Sequence, residues 1–160
     1  MRNVPAEFQQ LFDDFARGPT LLRQALVGLD AGSLNQRPAG ADWSIRDVVV
    51  HLADAELVRA VRIRFALAEA DPLLPPFDEE AWKRRLQYLW RDVDAAIALF
   101  QQTRYSNAEL LSYVGKDGWQ RAGIDGDGQP LSVLELTRRG VEHVTDHVGQ
   151  IESLRAALGR

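Results

Sequence analysis

"PLSVLELTRRGVEHVTDHVGQI", residues 130–151, contains a helix start, an amphipathic helix and two of the chain's three histidines. Ser132 with Glu135 three residues on is a capping box, in which the hydroxyl and the carboxylate each satisfy a backbone N–H that the first turn leaves free. Behind it Leu134, Val141, Val144, Val148, Ile151 and Leu158 recur at helical spacing. Leu136, Gly140, His143, His147, Gln150 and Leu154 form the adjacent face. This spacing predicts a helix from Ser132 to about Leu158, with both histidines at the border of the core.

Upstream, Phe8, Leu11, Phe12, Phe15, Leu22, Leu26 and Leu29 keep the same period over residues 6–29, interrupted by Gly18-Pro19. That pattern predicts one kinked helix or two in line. "DAGSLNQRPAGAD" (30–42) reads as a loop. Ser44 and Asp47 cap a second helix, with Trp43 as a hydrophobic staple and Ile45, Val48, Val49 and Leu52 as its apolar stripe. His51 flanks that stripe, between Asp47 and Asp54, and Glu56 sets a carboxyl on the apolar face. The prolines of "ADPLLPPFD" (70–78) end this helix.

Trp82, Leu86, Leu89, Val93, Ile97 and Phe100 predict a third helix over 78–102. In the stretch 103–131, "SNAELLSYV" reads as a short helix capped by Ser106. "GWQRAGIDGDGQPLS" reads as two extended pieces around a Gly/Asp turn. Four long amphipathic helices without an internal repeat predict an all-α four-helix bundle, with a long crossover between helices three and four containing a short helix and a small hairpin. Residues 1–160 are expected to form a single domain, a length that buries roughly 70% of the unfolded surface.

Composition narrows the function. An apolar fraction of 46% and a charged fraction of 26% are those of ordinary globular proteins, and no apolar run approaches the ~20 residues of a membrane span. The first residues lack an apolar signal region, so the expected compartment is the cytoplasm. A net charge of -4 gives no reason to expect a nucleic-acid partner. The basic clusters at 58–64 and 83–85 read as solvated helix faces. The absence of cysteine excludes disulfides, thiolate metal sites and a cysteine nucleophile, so any catalytic sulfur must come from a bound partner. Bundles with exposed apolar stripes pair symmetrically, which predicts a homodimer.

His143 and His147, four residues apart, rise only ~6 Å along one helix face, so their ring nitrogens can converge on one ion. His51, in "VVVHLADAE", is the one imidazole left to be a third ligand. A solvated histidine pair on a helix flank satisfies the same spacing. "DGDG" (125–128) begins like a calcium loop, but the twelfth position is Leu136, which excludes that reading. Glu56 reads either as paired to Arg59 at i+3 or as catalytic. Asp54, Asp47 and Asp146 are either solvated or accept a hydrogen bond from a ligand imidazole.

"WSIRDVVVHLADAE" (43–56) followed by the 130–151 stretch resembles the DinB/YfiT-like superfamily. The resemblance implies the four-helix bundle, the long crossover and a divalent transition metal held by His51, His143 and His147. Three imidazoles suit zinc, nickel, iron or copper, and zinc or nickel is the expectation. Characterised relatives are thiol-dependent transferases and isomerases that use mycothiol, bacillithiol or glutathione, while many others are assigned to metal-dependent hydrolases.

The expected function is therefore metal-dependent S-transfer or isomerisation on a small electrophilic substrate, with a low-molecular-weight thiol as cosubstrate. Hydrolysis, or a non-catalytic stress-related helical binding module, is the alternative. Asp54 or Glu56 is expected to orient His51 or act as general base. Arg59 or Arg62 is expected either to hold an acidic cosubstrate or to lie on a solvated face.

Overall fold

Both predicted helix starts exist, and they fix the two helices that carry the histidines. In the computed structural model, which describes residues 4–160, Ser44 Oγ accepts from the Asp47 N–H and Asp47 Oδ2 accepts from the Ser44 N–H, at 3.2 and 2.9 Å. This opens a helix over Ile45–Ala68. Ser132 Oγ accepts from the Glu135 N–H at 3.1 Å and opens a helix over Val133–Ala157. Only the serine half of that second box forms, because the Glu135 carboxylate turns to Arg138 and Arg139.

In chain order the elements are α1 (Gln9–Ala25), preceded by a 3-10 turn at Ala6–Phe8, α2 (Ala31–Asn35), α3 (Ile45–Ala68), α4 (Glu79–Arg85), α5 (Val93–Leu111) and α6 (Lys116–Gln120). The strands β1 (Ala122–Ile124) and β2 (Pro130–Ser132) follow, and then α7 (Val133–Ala157). α1, α3, α5 and α7 make the four-helix bundle: α3 packs on α5 and α7, and α1 packs on α7 and α5. α6 and the antiparallel β1–β2 hairpin, with Gly123 opposite Leu131, fill the crossover. The hairpin is tied to the segment after α3, since Ile124 N–H donates to Pro72 O and Leu74 N–H to Ile124 O, both at 2.8 Å. Among the described residues no helix is long and apolar enough to cross a membrane.

Three expectations need correction. The third helix does not run over 78–102. It breaks at Gln87, whose φ of 55° is left-handed, and a 3-10 turn at Tyr88–Trp90 separates α4 from α5. Asp92 caps α5 anew, accepting from the Ala95 N–H at 2.7 Å. Leu86 and Leu89, two members of the predicted stripe, are exposed, while Tyr88 is buried. Ser106 caps no separate helix; it lies inside α5, where its hydroxyl accepts from Arg64 at 2.9 Å. The 30–42 stretch contains α2, capped by Asp30.

Gly18-Pro19 does not end α1, and the reason lies in another helix. Pro19 has no N–H to give to the carbonyl of Phe15, one turn back. Arg104 of α5 fills that place, donating from Nη1 to Phe15 O at 3.0 Å. A side chain at residue 18 would meet the same guanidinium nitrogen 3.0 Å from its Cβ, so glycine gives Arg104 its room.

Arg104 also donates to Glu56 Oε2 of α3 at 2.7 Å and to Gly140 O of α7 at 3.3 Å. One side chain of α5 thus binds the other three bundle helices. Asn107 completes the layer by donating to Glu56 Oε1 at 2.8 Å. The layer divides the core in two. On one side lie Leu22, Ile45, Val48, Leu52, Phe100, Val144 and Ile151; on the other lie Phe15, Ile63, Leu111, Trp119, Leu131 and Leu136.

Candidate metal centre

His51 sits two turns into α3 and is fully buried; His143 and His147 sit mid-way along α7 and are half-buried. The packing of α3 on α7 turns all three Nε2 atoms toward one point. His143 Nε2 lies 2.9 Å from His51 Nε2 and 3.1 Å from His147 Nε2. The three rings offer ligand atoms that all lie within 4.8 Å of one another.

This arrangement cannot be satisfied by hydrogen bonds alone. A neutral imidazole nitrogen carries either one N–H or one lone pair, so His143 Nε2 cannot serve two neighbouring nitrogens at once. A divalent ion takes three lone pairs together. Nitrogens ~2.0–2.1 Å from a tetrahedral ion stand roughly 3.4 Å apart, close to the spacing seen. His147 is already in the right tautomer: its Nδ1 donates to Gln150 Oε1 at 2.7 Å, which leaves the Nε2 lone pair for an ion. The residues fit a metal of the zinc type.

Aromatic walls hold the rings in place. Trp43 stands edge-on to His51 at 5.1 Å and stacks on His147 at 6.3 Å, while Phe77 stacks on His51 at 5.7 Å. Trp43, the residue before the α3 N-cap, packs against the core and also forms a wall of the site. Its Nε1 donates to Glu80 at 3.2 Å, and Lys83 lies over its ring at 4.7 Å. These contacts draw α4 over the histidines and bring Glu79 Oε1 to 4.0 Å from His51 Nε2. Glu79 is half-exposed, so it joins the site from the solvent side.

The buried rings are held neutral. Burial, aided by His147 and Arg59, lowers His51 to about 3. Burial, aided by His147, His51, Arg59 and Arg104, lowers His143 to about 2. Both values lie below the unfolded value near 6.5, so below that pH the unfolded chain binds more protons than the folded one. Stability of the metal-free protein therefore falls as pH drops from about 6.5 toward about 3, by up to about 1.4 kcal/mol per pH unit for each ring. Urea midpoints of chelator-treated protein at pH 7 and 5.5 should show this fall, and the double variant His51→Gln, His143→Gln should flatten it. An unchanged pH slope in that variant would refute the assignment.

The other predicted residues lie elsewhere. Glu56 is enclosed by Arg104, Asn107 and Arg59, whose Nε is 3.4 Å away, and belongs to the mid-bundle layer. Asp54 is buried beside Tyr88 and Arg91, with Arg91 Nη1 at 3.7 Å from its Oδ2. Burial raises its pKa, against the opposing pull of Tyr88 and Arg91. Among the described residues neither carboxylate forms a hydrogen bond or ion pair with the three imidazoles. Asp47 is taken by Ser44 and by Arg37 at 3.0 Å, and Asp146 is exposed. Sequence reasoning missed Glu79, Phe77 and Arg139. Phe77 and Glu79 reach the site through chain packing and no local spacing marks them, while Arg139 stands four residues before His143 on α7 and its helical spacing was the available signal.

Beside His143 a cavity of about 180 Å³ is lined by Ala55, Val58, Phe77, Glu79 and three arginines, Arg59, Arg62 and Arg139. The site thus has three converging imidazoles and an open side that faces a cavity.

Fold and site together define a four-helix bundle in which three imidazoles, from the second and last long helices, converge at a site that could hold a metal ion. The chain belongs to the DinB superfamily, whose family model matches residues 14–151. A Bacillus licheniformis protein is 28% identical over 154 residues, covering 96% of this chain and 88% of its own length. A Bacillus cereus AH820 protein is 33% identical over 140 residues, covering 88% and 80%. Both carry provisional names as metal-dependent hydrolases.

Among solved structures, YfiT from Bacillus subtilis superposes with a TM-score of 0.88 at 23% identity, covering 99% of this chain and 92% of its own. It is described as having an unusual four-helix bundle topology. The mycothiol-dependent maleylpyruvate isomerase superposes with a TM-score of 0.72 at 13% identity, over 90% of this chain and 60% of that one. These likenesses concern the fold.

Proposed function

We propose that this chain is a metal-dependent enzyme that directs an external nucleophile onto a small electrophilic substrate, and that the nucleophile is a low-molecular-weight thiol. The observation that carries the reading is the open side of the histidine cluster: His143 borders the Arg59–Glu79 cavity, and among the described residues no fourth group joins the three imidazoles. A structural clip would close that side. The expected ion, zinc or nickel, would lower the pKa of a thiol or water held at the fourth position.

The chain's own residues supply the remaining parts. His51, His143 and His147 offer three neutral nitrogens from rigid helices, and Gln150 fixes the tautomer of His147. Phe77 and Trp43 shield the rings from water. Glu79 stands where a carboxylate can accept the proton released by the nucleophile. In the transfer a carbon–sulfur bond forms, the bond to the leaving group breaks with its electron pair, and the thiol proton passes to Glu79. A cysteine-free chain must obtain its sulfur from outside. The fold likeness to an isomerase that depends on mycothiol supports the same choice.

Hydrolysis is the second reading. It is favoured by the names of the relatives and by Glu79, which would serve water as readily as a thiol. Zinc- and nickel-loaded protein should therefore be assayed with 1-chloro-2,4-dinitrobenzene plus bacillithiol, mycothiol or glutathione, and with p-nitrophenyl esters without thiol. Thiol-dependent arylation that disappears in His143→Ala supports transfer. Thiol-independent ester cleavage lost in both His143→Ala and Glu79→Gln supports hydrolysis and displaces the first reading. Rates equal to those of His143→Ala in every assay would remove both.

A further inference from the structure

The cavity beside His143 has a charge pattern that the histidine cluster does not require. Arg59, Arg62 and Arg139 line it from α3 and α7, opposite Glu79 and Phe77. Each guanidinium is anchored by part of its donor set. Arg62 donates from Nε to Pro75 O at 2.9 Å, Arg139 from Nε to Glu135 Oε1 at 3.1 Å, and Arg59 from Nη1 to Leu136 O at 3.0 Å. Among the described residues, the two Nη nitrogens of Arg62 and of Arg139 and the Nη2 of Arg59 have no protein acceptor.

The nearby carboxylates do not balance this charge. Glu56 is divided between Arg59 and Arg104, and Glu135 between Arg138 and Arg139. Asp125 attracts Arg62 without an ion pair, and Glu79 stands on the His51 side of the cavity. Burial and the adjacent Arg139 both act against the charge on Arg62. Like charges held side by side around a small space are stabilised by an anion between them, and the guanidinium fork matches an oxyanion.

We propose that this cavity is an oxyanion subsite, in which Arg59, Arg62 and Arg139 take the carboxylate or phosphate end of a small substrate or cosubstrate whose reacting end lies at the histidines. The subsite deepens the function proposed above by naming the charge class of its ligand, and it rests on that reading only for the ligand's reacting end. Arg59 also supports the Glu56 layer, so Arg62 and Arg139 are the residues to vary.

Chelator-treated and zinc-loaded protein should be titrated with succinate, methyl phosphate and neutral succinamide by calorimetry. At least one of the two anions should bind both forms, with succinamide inert. The double variant Arg62→Gln, Arg139→Gln should weaken the anion by about tenfold or more, the loss of two charge-assisted partners. A companion variant, Arg62→Lys, Arg139→Lys, should recover part of the affinity because it keeps the charge and loses only the fork. Circular dichroism and zinc content should match wild type in both.

Equal affinity in the Gln variant would overturn the proposal, as would no binding of either anion. Binding confined to the zinc-loaded form and abolished by His143→Ala would place the anion on the ion instead of the arginines, and would overturn it too. Anion binding by the chelated protein would stand even if no metal-dependent activity were found.

Discussion

Tag-free wild-type protein is expected to carry about one transition metal per chain, and His143→Ala is expected to lose it. His143 is the pivot of the cluster, because its Nε2 is the atom within 3.1 Å of both other rings. Without it His51 and His147 remain as two ligands on different helices, too few to complete a three-ligand set. Loss of an outer hydrogen-bond partner such as Gln150 typically costs about 10–100-fold in affinity, so loss of the central ligand should exceed about a hundredfold. The helical fold should survive, since no member of the mid-bundle layer is touched. Elemental analysis beside circular dichroism decides the matter. Equal metal content in wild type and variant, after both are offered zinc and nickel at neutral pH, would sink the assignment of these histidines as ligands.

Arg104→Met should produce the largest loss of stability. The guanidinium is 1% exposed and binds Phe15 O, Glu56 and Gly140 O. Its removal leaves the Phe15 carbonyl, which Pro19 cannot serve, short of a donor and Glu56 short of its closest cation. Breaking one side of such a buried pair costs about 3–5 kcal/mol. For a domain of this size that is a fall in Tm of roughly 6–20 °C. The double variant Glu56→Leu, Arg104→Met removes both charges and should recover a large part of the loss, as apolar replacement of buried pairs commonly does. Urea denaturation with an unchanged m-value is the measurement. A loss below about 1 kcal/mol would mean the staple contributes no more than an exposed ion pair.

The four-helix bundle, the crossover and the order of the three histidines were legible in the sequence, because α3 and α7 begin at local caps and keep their period. The break at Gln87 was not. Trp82, Leu86, Leu89 and Val93 are spaced by four, three and four residues, so the helical period runs straight across the turn, and no glycine or asparagine marks the left-handed position.

Gly18-Pro19 left one kinked helix or two in line both open; α1 runs through as one helix, and the pair is a berth for Arg104. Both signals are local, whereas their outcomes depend on partners far along the chain. The same holds for Glu56. Arg59, one turn away, was foreseeable as a neighbour, but the closest cation is 48 residues distant. Glu79 reaches the candidate site only after the 70–78 segment folds back, whereas Arg139 stands one helical turn before His143.

Gly140 has a consequence for how the helices slide. A Cβ there would lie 2.8 Å from the Phe15 ring and 3.0 Å from Arg59. If α7 slipped by one turn, about 5.4 Å, apolar residues would still face apolar residues. Leu136 or Val144 would then arrive at a level that has no room even for a methyl group. The slipped assembly is therefore excluded by steric conflict and not merely disfavoured by weaker packing. His143 stands one turn beyond Gly140, so the height of the imidazoles along the bundle is set by a residue that has no side chain.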